Sequence, residues 1–107
     1  AFVDRALGNA TEFTQPLQDF VNEHAWGGVW NRDGLPLKTR SLITVAALIA
    51  AGHSEELPAH LRRAAGNGVT QDELAAAITH LAFYVGFPGA ITASAIANAT
   101  FSETENN

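Results

Sequence analysis

Apolar residues recur along this chain at the three- and four-residue spacing of amphipathic helices, and no stretch alternates with the two-residue period of a strand. The pattern predicts helices over roughly residues 2–9, 15–30, 36–51, 54–66, 71–85 and 88–101, the second ended or loosened at Gly27 and Gly28 and the third with Pro36 in its first turn. A polar tail follows, which we expect to fray. The fold class predicted is therefore all-α, a compact bundle of five to six helices in a single domain spanning residues 1–107.

Several helix boundaries carry recognisable signals. Thr70 and Glu73 have the spacing of a capping box, which predicts a helix start at residue 71. Ser54 is the expected N-cap of the preceding helix, with Pro58 in its first turn. The stretch 42–51 is apolar nearly all round, which predicts that its helix is the buried central one.

Composition excludes several classes of function. The formal charge of -5 and the lack of a basic run argue against nucleic-acid binding. The absence of cysteine excludes disulfides, thiol redox chemistry and thiolate-bound metals. The longest apolar run is about 12 residues, shorter than the roughly 20 that span a bilayer, so no membrane segment is predicted. We expect a soluble cytoplasmic protein.

Two histidine-centred pairs are candidates for chemistry. Glu56 lies four residues before His60, a spacing at which a carboxylate can orient an imidazole and raise its pKa. His80 and Tyr84 have the same spacing on the next helix. Each pair could instead be structural: a solvated surface pair in the first case, and a hydrogen-bonded core pair in the second.

Other candidates are single residues. Arg40, at the entry to the most apolar helix, suits a carboxylate because its guanidinium can donate two parallel hydrogen bonds. Arg62 and Arg63 are expected to face solvent. Trp26 and Trp30 are four residues apart and are most simply core or interface anchors. The histidine spacing matches no metal motif, so no metal is expected.

Taken together and in order, four elements resemble the carboxymuconolactone decarboxylase family, with the γ-carboxymuconolactone decarboxylases nearest. They are W-G-x-x-W, T-R-S-L, E-L-x-x-H and Y-x-G-x-P-x-A, and the likeness covers almost the whole chain. In thiol peroxidase relatives of the same alkylhydroperoxidase-like superfamily, a C-x-x-C precedes the histidine that His60 matches. His53 and Glu56 occupy those cysteine positions here, so disulfide chemistry is excluded.

The resemblance implies decarboxylation of γ-carboxymuconolactone to 3-oxoadipate enol-lactone, without a cofactor, in a homo-oligomer that is a hexamer or a trimer. It makes His60 the candidate general acid, with Glu56 orienting it, and His80 and Tyr84 the candidates for polarising the lactone oxygen. The expected substrate-binding residues are Arg40, His53, Trp26, Trp30 and Phe83.

Two alternatives stay open at this point. Ser41 stands where thiol members often carry a glutamate, and Asp33, Pro36 and His53 depart from the residues expected of the pathway enzymes. These departures favour a divergent lactone- or enol-processing enzyme. A non-catalytic oligomeric binding protein is the other alternative.

Overall fold

The chain divides into two compact units, with the boundary between Pro36 and Leu37. The computed structural model describes residues 11–106, and the side chains of residues 11–102. In the first unit, helix α1 (Gln15–Val21) continues into a π-helical turn (Asn22–Trp26) and a 3-10 turn (Val29–Asn31). The helix predicted over residues 2–9 lies outside the described residues.

The second unit consists of helices α2 (Leu37–Ala51), α3 (Leu57–Gly66), α4 (Gln71–Val85) and α5 (Phe87–Asn106). α2 packs against α3 and α4, and α5 packs against the same two helices and, less extensively, against α2. The described residues thus contain five α-helices and no strand, which confirms the all-α prediction. No helix among them combines the length and the apolar character needed to cross a membrane.

The start of α4 is the capping box that the sequence predicts. The Glu73 N–H donates to Thr70 Oγ1 at 3.0 Å, and the Thr70 N–H donates to Glu73 Oε1 at 2.9 Å. This exchange satisfies two of the backbone donors that a helix start leaves without partners. The Thr70 N–H and nearby Lys38, whose Nζ lies 3.1 Å from Glu73 Oε2, hold the Glu73 carboxylate in place.

Two boundary predictions were wrong. α3 begins at Leu57, and Ser54 is not its N-cap. Pro58 has no N–H to bond the Ser54 carbonyl, and at the start of α3 the His60 N–H donates to the Glu56 carbonyl at 3.4 Å. α5 continues to Asn106, beyond the predicted end at Phe101, because no proline or glycine follows that residue to stop it.

The core of the second unit is built mainly from aliphatic side chains of all four helices. Its buried members are Val45, Ile49, Leu57, Leu61, Ala64, Val69, Leu74, Ile78, Ala90 and Ala93. α2 contacts each of the other three helices, but it is not buried on all sides as predicted, since Ile43 is 53% exposed. The extra apolar residues on α2 therefore form a second, outward face.

Candidate active site

The middle of α3 places the imidazole of His60 in a half-buried position between two charged residues. Glu56 lies one turn before it and is exposed, whereas Arg63 lies one turn after it and is half-buried. Burial lowers the pKa of His60 below its ordinary value of 6.5, the charge of Arg63 lowers it further, and Glu56 raises it. The effect expected of Glu56 is thus present but outweighed, and the imidazole is mostly neutral at pH 7.

Arg63 is the functional candidate that sequence reasoning missed. Both Arg62 and Arg63 were expected to face solvent, but only Arg62 is exposed. The signal was available, because Arg63 follows His60 by three residues and therefore shares its side of the helix. The Nε atom of Arg63 is itself buried, so its stem lies against the protein and does not extend into solvent.

A hydrogen bond between side chains joins the start of α2 to the end of α3. Asn67, at the end of α3, donates from Nδ2 to Oγ of Ser41 at 2.9 Å. Ser41 is 1% exposed, so the bond is formed inside the helix pair. The two helices run antiparallel, because only the short turn 52–56 joins them.

The register set by this bond locates Arg40 relative to His60. Arg40 is half-buried on the first turn of α2, next to Ser41. Counting along the antiparallel pair from the bond between Ser41 and Asn67, His60 lies level with Leu48. That is eight residues, or about 12 Å along the helix axis, from Arg40.

The pair His80 and Tyr84 lies elsewhere in the second unit. Their ring centroids are 5.1 Å apart on α4, as the four-residue spacing predicts, and both side chains are exposed. The interpretation as a core pair is therefore wrong. Phe83 is 79% exposed and lines a cleft of about 310 Å³ between α4 and α5 together with Phe87 and Ile91.

The remaining predicted site residues are placed as follows. His53 is exposed in the turn after α2, where its N–H donates to the Leu48 carbonyl at 2.9 Å. Trp26 and Trp30 contact each other in the first unit, with ring centroids 5.4 Å apart, and both are half-buried. Their role as a wall of the site stays a prediction. Among the side chains of residues 11–102, no three histidines or carboxylates gather as metal ligands would.

Comparison with known proteins identifies the family to which these residues belong. The sequence model of the carboxymuconolactone decarboxylase family matches residues 15–99. The chain belongs to this family. It is 46% identical over 101 residues to 4-carboxymuconolactone decarboxylase of Acinetobacter baylyi, an alignment that covers 94% of this chain and 75% of that protein.

A second relative of this chain is named for a different substrate. The chain is 43% identical over 102 residues to nitrosuccinic acid decarboxylase of Metarhizium robertsii, covering 95% of this chain and 71% of that protein. Both relatives are named as decarboxylases, so release of a carboxyl group is the chemistry that they share. The chain is a carboxy-lyase of this family.

Decarboxylation requires chemistry that the side chains around α3 can supply. When CO2 leaves, the electron pair of the broken bond remains on the substrate, and a proton must replace the lost group. An imidazole is the side chain most often used for such a transfer, and guanidinium groups hold carboxylates. His60, Arg40 and Arg63 are thus residues of the right types on one antiparallel helix pair.

Proposed function

We propose that this carboxy-lyase converts γ-carboxymuconolactone to 3-oxoadipate enol-lactone in aromatic-acid catabolism, in the cytoplasm and without a cofactor. The similarity to 4-carboxymuconolactone decarboxylase over 94% of the chain supports this choice of substrate. The observation that carries it is the half-buried imidazole of His60 beside a guanidinium, because it joins a proton carrier to a group that attracts acids.

The reaction needs no external electron acceptor. The bond between the γ-carbon and its carboxylate breaks, and CO2 leaves. The electron pair moves through the ring double bond to the lactone carbonyl oxygen, which gives a dienolate. A proton is then added at the α-carbon, which restores the carbonyl and completes the enol-lactone. The protein has to bind the acid, stabilise the oxyanion and deliver that proton.

In this proposal His60 is the proton donor and Glu56 orients its ring. Arg40 binds a substrate carboxylate through two parallel hydrogen bonds. His60 starts mostly neutral because burial and Arg63 lower its pKa. An anionic substrate beside it opposes both effects, so the proton is taken up as the acid binds.

The remaining candidates lie on other elements. His80 and Tyr84 polarise the lactone oxygen, His53 contacts the substrate, and Phe83 is an apolar contact of the substrate in the second unit. Trp26 and Trp30, in the first unit, are proposed separately as apolar substrate-binding residues. We also propose that the chain forms a homo-oligomer, a hexamer or a trimer, in which an exposed α4 face can complete the site of another copy. The exposed apolar side chains Phe83, Phe87 and Ile91 support this assembly.

Replacing His60 tests the central step. We expect His60→Ala to keep the helical circular-dichroism spectrum and to lower the rate of CO2 release from γ-carboxymuconolactone by roughly 10²–10⁴-fold. His24→Ala, which removes an exposed histidine of the first unit, is the matched control and is expected to keep full activity. Undiminished turnover by the His60 variant would refute the proposed role.

A second substrate is favoured by a specific observation. The relative named for nitrosuccinic acid is nearly as similar to this chain, at 43% identity. Assays of the wild-type enzyme with both acids decide between them. Turnover of nitrosuccinic acid with no CO2 from the lactone would replace the proposed substrate but leave decarboxylation in place.

A further inference from the structure

Two arginines and a histidine occupy equivalent positions along the helix pair formed by α2 and α3. Arg40 directly precedes buried Ser41, His60 precedes buried Leu61, and Arg63 precedes buried Ala64. Each successive residue is turned by about 100° around a helix. In two antiparallel helices that face each other, the residue that precedes each buried residue in sequence is therefore turned toward the same side on both helices. These preceding residues lie along one edge of the interface. We call this edge, defined by Arg40, Arg63 and His60, the α2–α3 edge.

The contact between Asn67 and Ser41 supports this placement. Asn67 follows His60 by seven residues and Arg63 by four, so the three residues lie along one side of α3. Since Asn67 donates to Ser41 on α2, that side of α3 borders α2. Thr44, one turn beyond Arg40, is half-buried on the same side of α2, whereas Ile43 is exposed.

Arg63 lies between the other two members of the edge. The register of the bond between Ser41 and Asn67 places Arg63 level with Val45. That is five residues, or about 7.5 Å along the axis, from Arg40. His60 is three residues from Arg63, or about 4.5 Å. The long side chains of the two arginines can thus converge from opposite helices on one small molecule, with the imidazole at one end.

We propose that Arg63 is a substrate-binding residue and that, with Arg40, it holds the two carboxylates of a dicarboxylic acid at the α2–α3 edge. This proposal rests on the proposed function for the identity of the acid but not for the site. A single carboxylate would need only one guanidinium. A dicarboxylic substrate keeps one carboxylate after losing the other as CO2, so the retained carboxylate is bound throughout the reaction.

Binding of the substrate at the α2–α3 edge also affects the protonation of His60. On its own helix His60 is flanked by the charges of Glu56 and Arg63, Arg40 lies about 12 Å away along the axis of α2, and α5 carries no charged side chain from Phe87 to Ser102. A carboxylate bound to Arg63 neutralises the charge that disfavours the imidazolium. Acid binding therefore raises the pKa of His60, and Arg63 couples the arrival of the substrate to protonation of the donor.

The neighbouring arginines provide a matched pair of variants. Arg63→Gln removes the half-buried guanidinium, whereas Arg62→Gln removes an exposed one from the same turn. The His60 ring signals are followed by NMR through a pH titration, with and without succinate as the probe dicarboxylate. We expect succinate to raise the pKa of His60 in the wild type and in Arg62→Gln, and to have little effect in Arg63→Gln.

Kinetics with γ-carboxymuconolactone give a second readout. We expect Arg63→Gln to raise KM by roughly tenfold or more with a smaller effect on kcat, because the retained carboxylate is held equally before and during the reaction. Arg63→Lys should recover part of the loss, since it keeps the charge but not the paired donors. Arg62→Gln should match the wild type.

The outcomes separate this proposal from the proposed function. An unchanged succinate response in Arg63→Gln, or equal effects of Gln at positions 62 and 63, would overturn the role of Arg63. Failure of the wild type to release CO2 from the lactone would overturn the proposed substrate, yet the NMR experiment with succinate would still test the site.

Discussion

The hydrogen bond between Asn67 and Ser41 sets the register of α2 and α3, and its loss should have a measurable energetic effect. We consider the variants Ser41→Ala, Asn67→Ala and the double variant. Ser41→Ala removes the acceptor of a 2.9 Å bond and leaves the Asn67 amide inside the helix pair. The matched double variant separates the bond from the other consequences of each substitution.

The magnitude follows from burial and helix propensity. A neutral hydrogen bond contributes about 0.5–1.5 kcal/mol to folding, and stranding a buried partner costs about 1–3 kcal/mol. Asn67 is only half-buried, so water can partly replace the lost acceptor. Alanine also favours the helix over serine by a few tenths of a kcal/mol, which offsets part of the cost. We therefore expect Ser41→Ala to destabilise by about 1 kcal/mol, with a coupling energy between the two positions of about 0.5–1.5 kcal/mol.

Urea unfolding followed by circular dichroism, at a fixed protein concentration, gives the free energy of unfolding of the wild type, the two single variants and the double variant. A loss of about 1 kcal/mol corresponds to a fall in Tm of about 4 °C for a domain of this size. Because the bond fixes how Arg40, Arg63 and His60 face one another, kcat/KM should fall further than the small loss of folded protein explains. Additive effects of the two single substitutions would show that the bond does not couple the helices.

Two further outcomes test the local structure and the electrostatics. Thr70→Ala removes half of the capping box and should lower the free energy of unfolding by about 1 kcal/mol, while Thr70→Ser keeps it; equal stability of the two variants in urea would contradict the capping geometry. The folded state lowers the pKa of His60 below its ordinary value of 6.5. Between the lowered pKa and 6.5, the unfolded protein therefore binds more protons than the folded protein. The free energy of unfolding should therefore fall as pH is lowered through about 6.5, and His60→Gln should reduce that slope; the same slope in both proteins would exclude His60 as its source.

Local signals in the sequence predicted the helices of the second unit well, because those signals act between near neighbours. Thr70 and Glu73 are three residues apart, and the capping box is present as predicted. The errors came from rules that compete over the same few residues. Ser54 is a good N-cap type, but the missing N–H of Pro58 delays the helix to Leu57.

The spacing of residues in the sequence also predicted part of the candidate site. The four-residue pairs of Glu56 with His60, and of His80 with Tyr84, lie as helical geometry requires. Spacing could not show which pair is buried. His60 is half-buried and His80 is exposed, because burial depends on which other helix covers that side of α3 or α4.

The sequence by itself thus determined the all-α class, most helix limits and the residue types available for acid chemistry, since these follow from contacts within one or two turns. Only the tertiary structure decided that Arg63 is covered and Arg62 is not. It also decided that Asn67 reaches Ser41 across 26 positions of the chain, and with it where Arg40 lies relative to His60. The physical reason is that a helix repeats its own geometry wherever it lies, whereas its covered side depends on packing against residues distant in sequence.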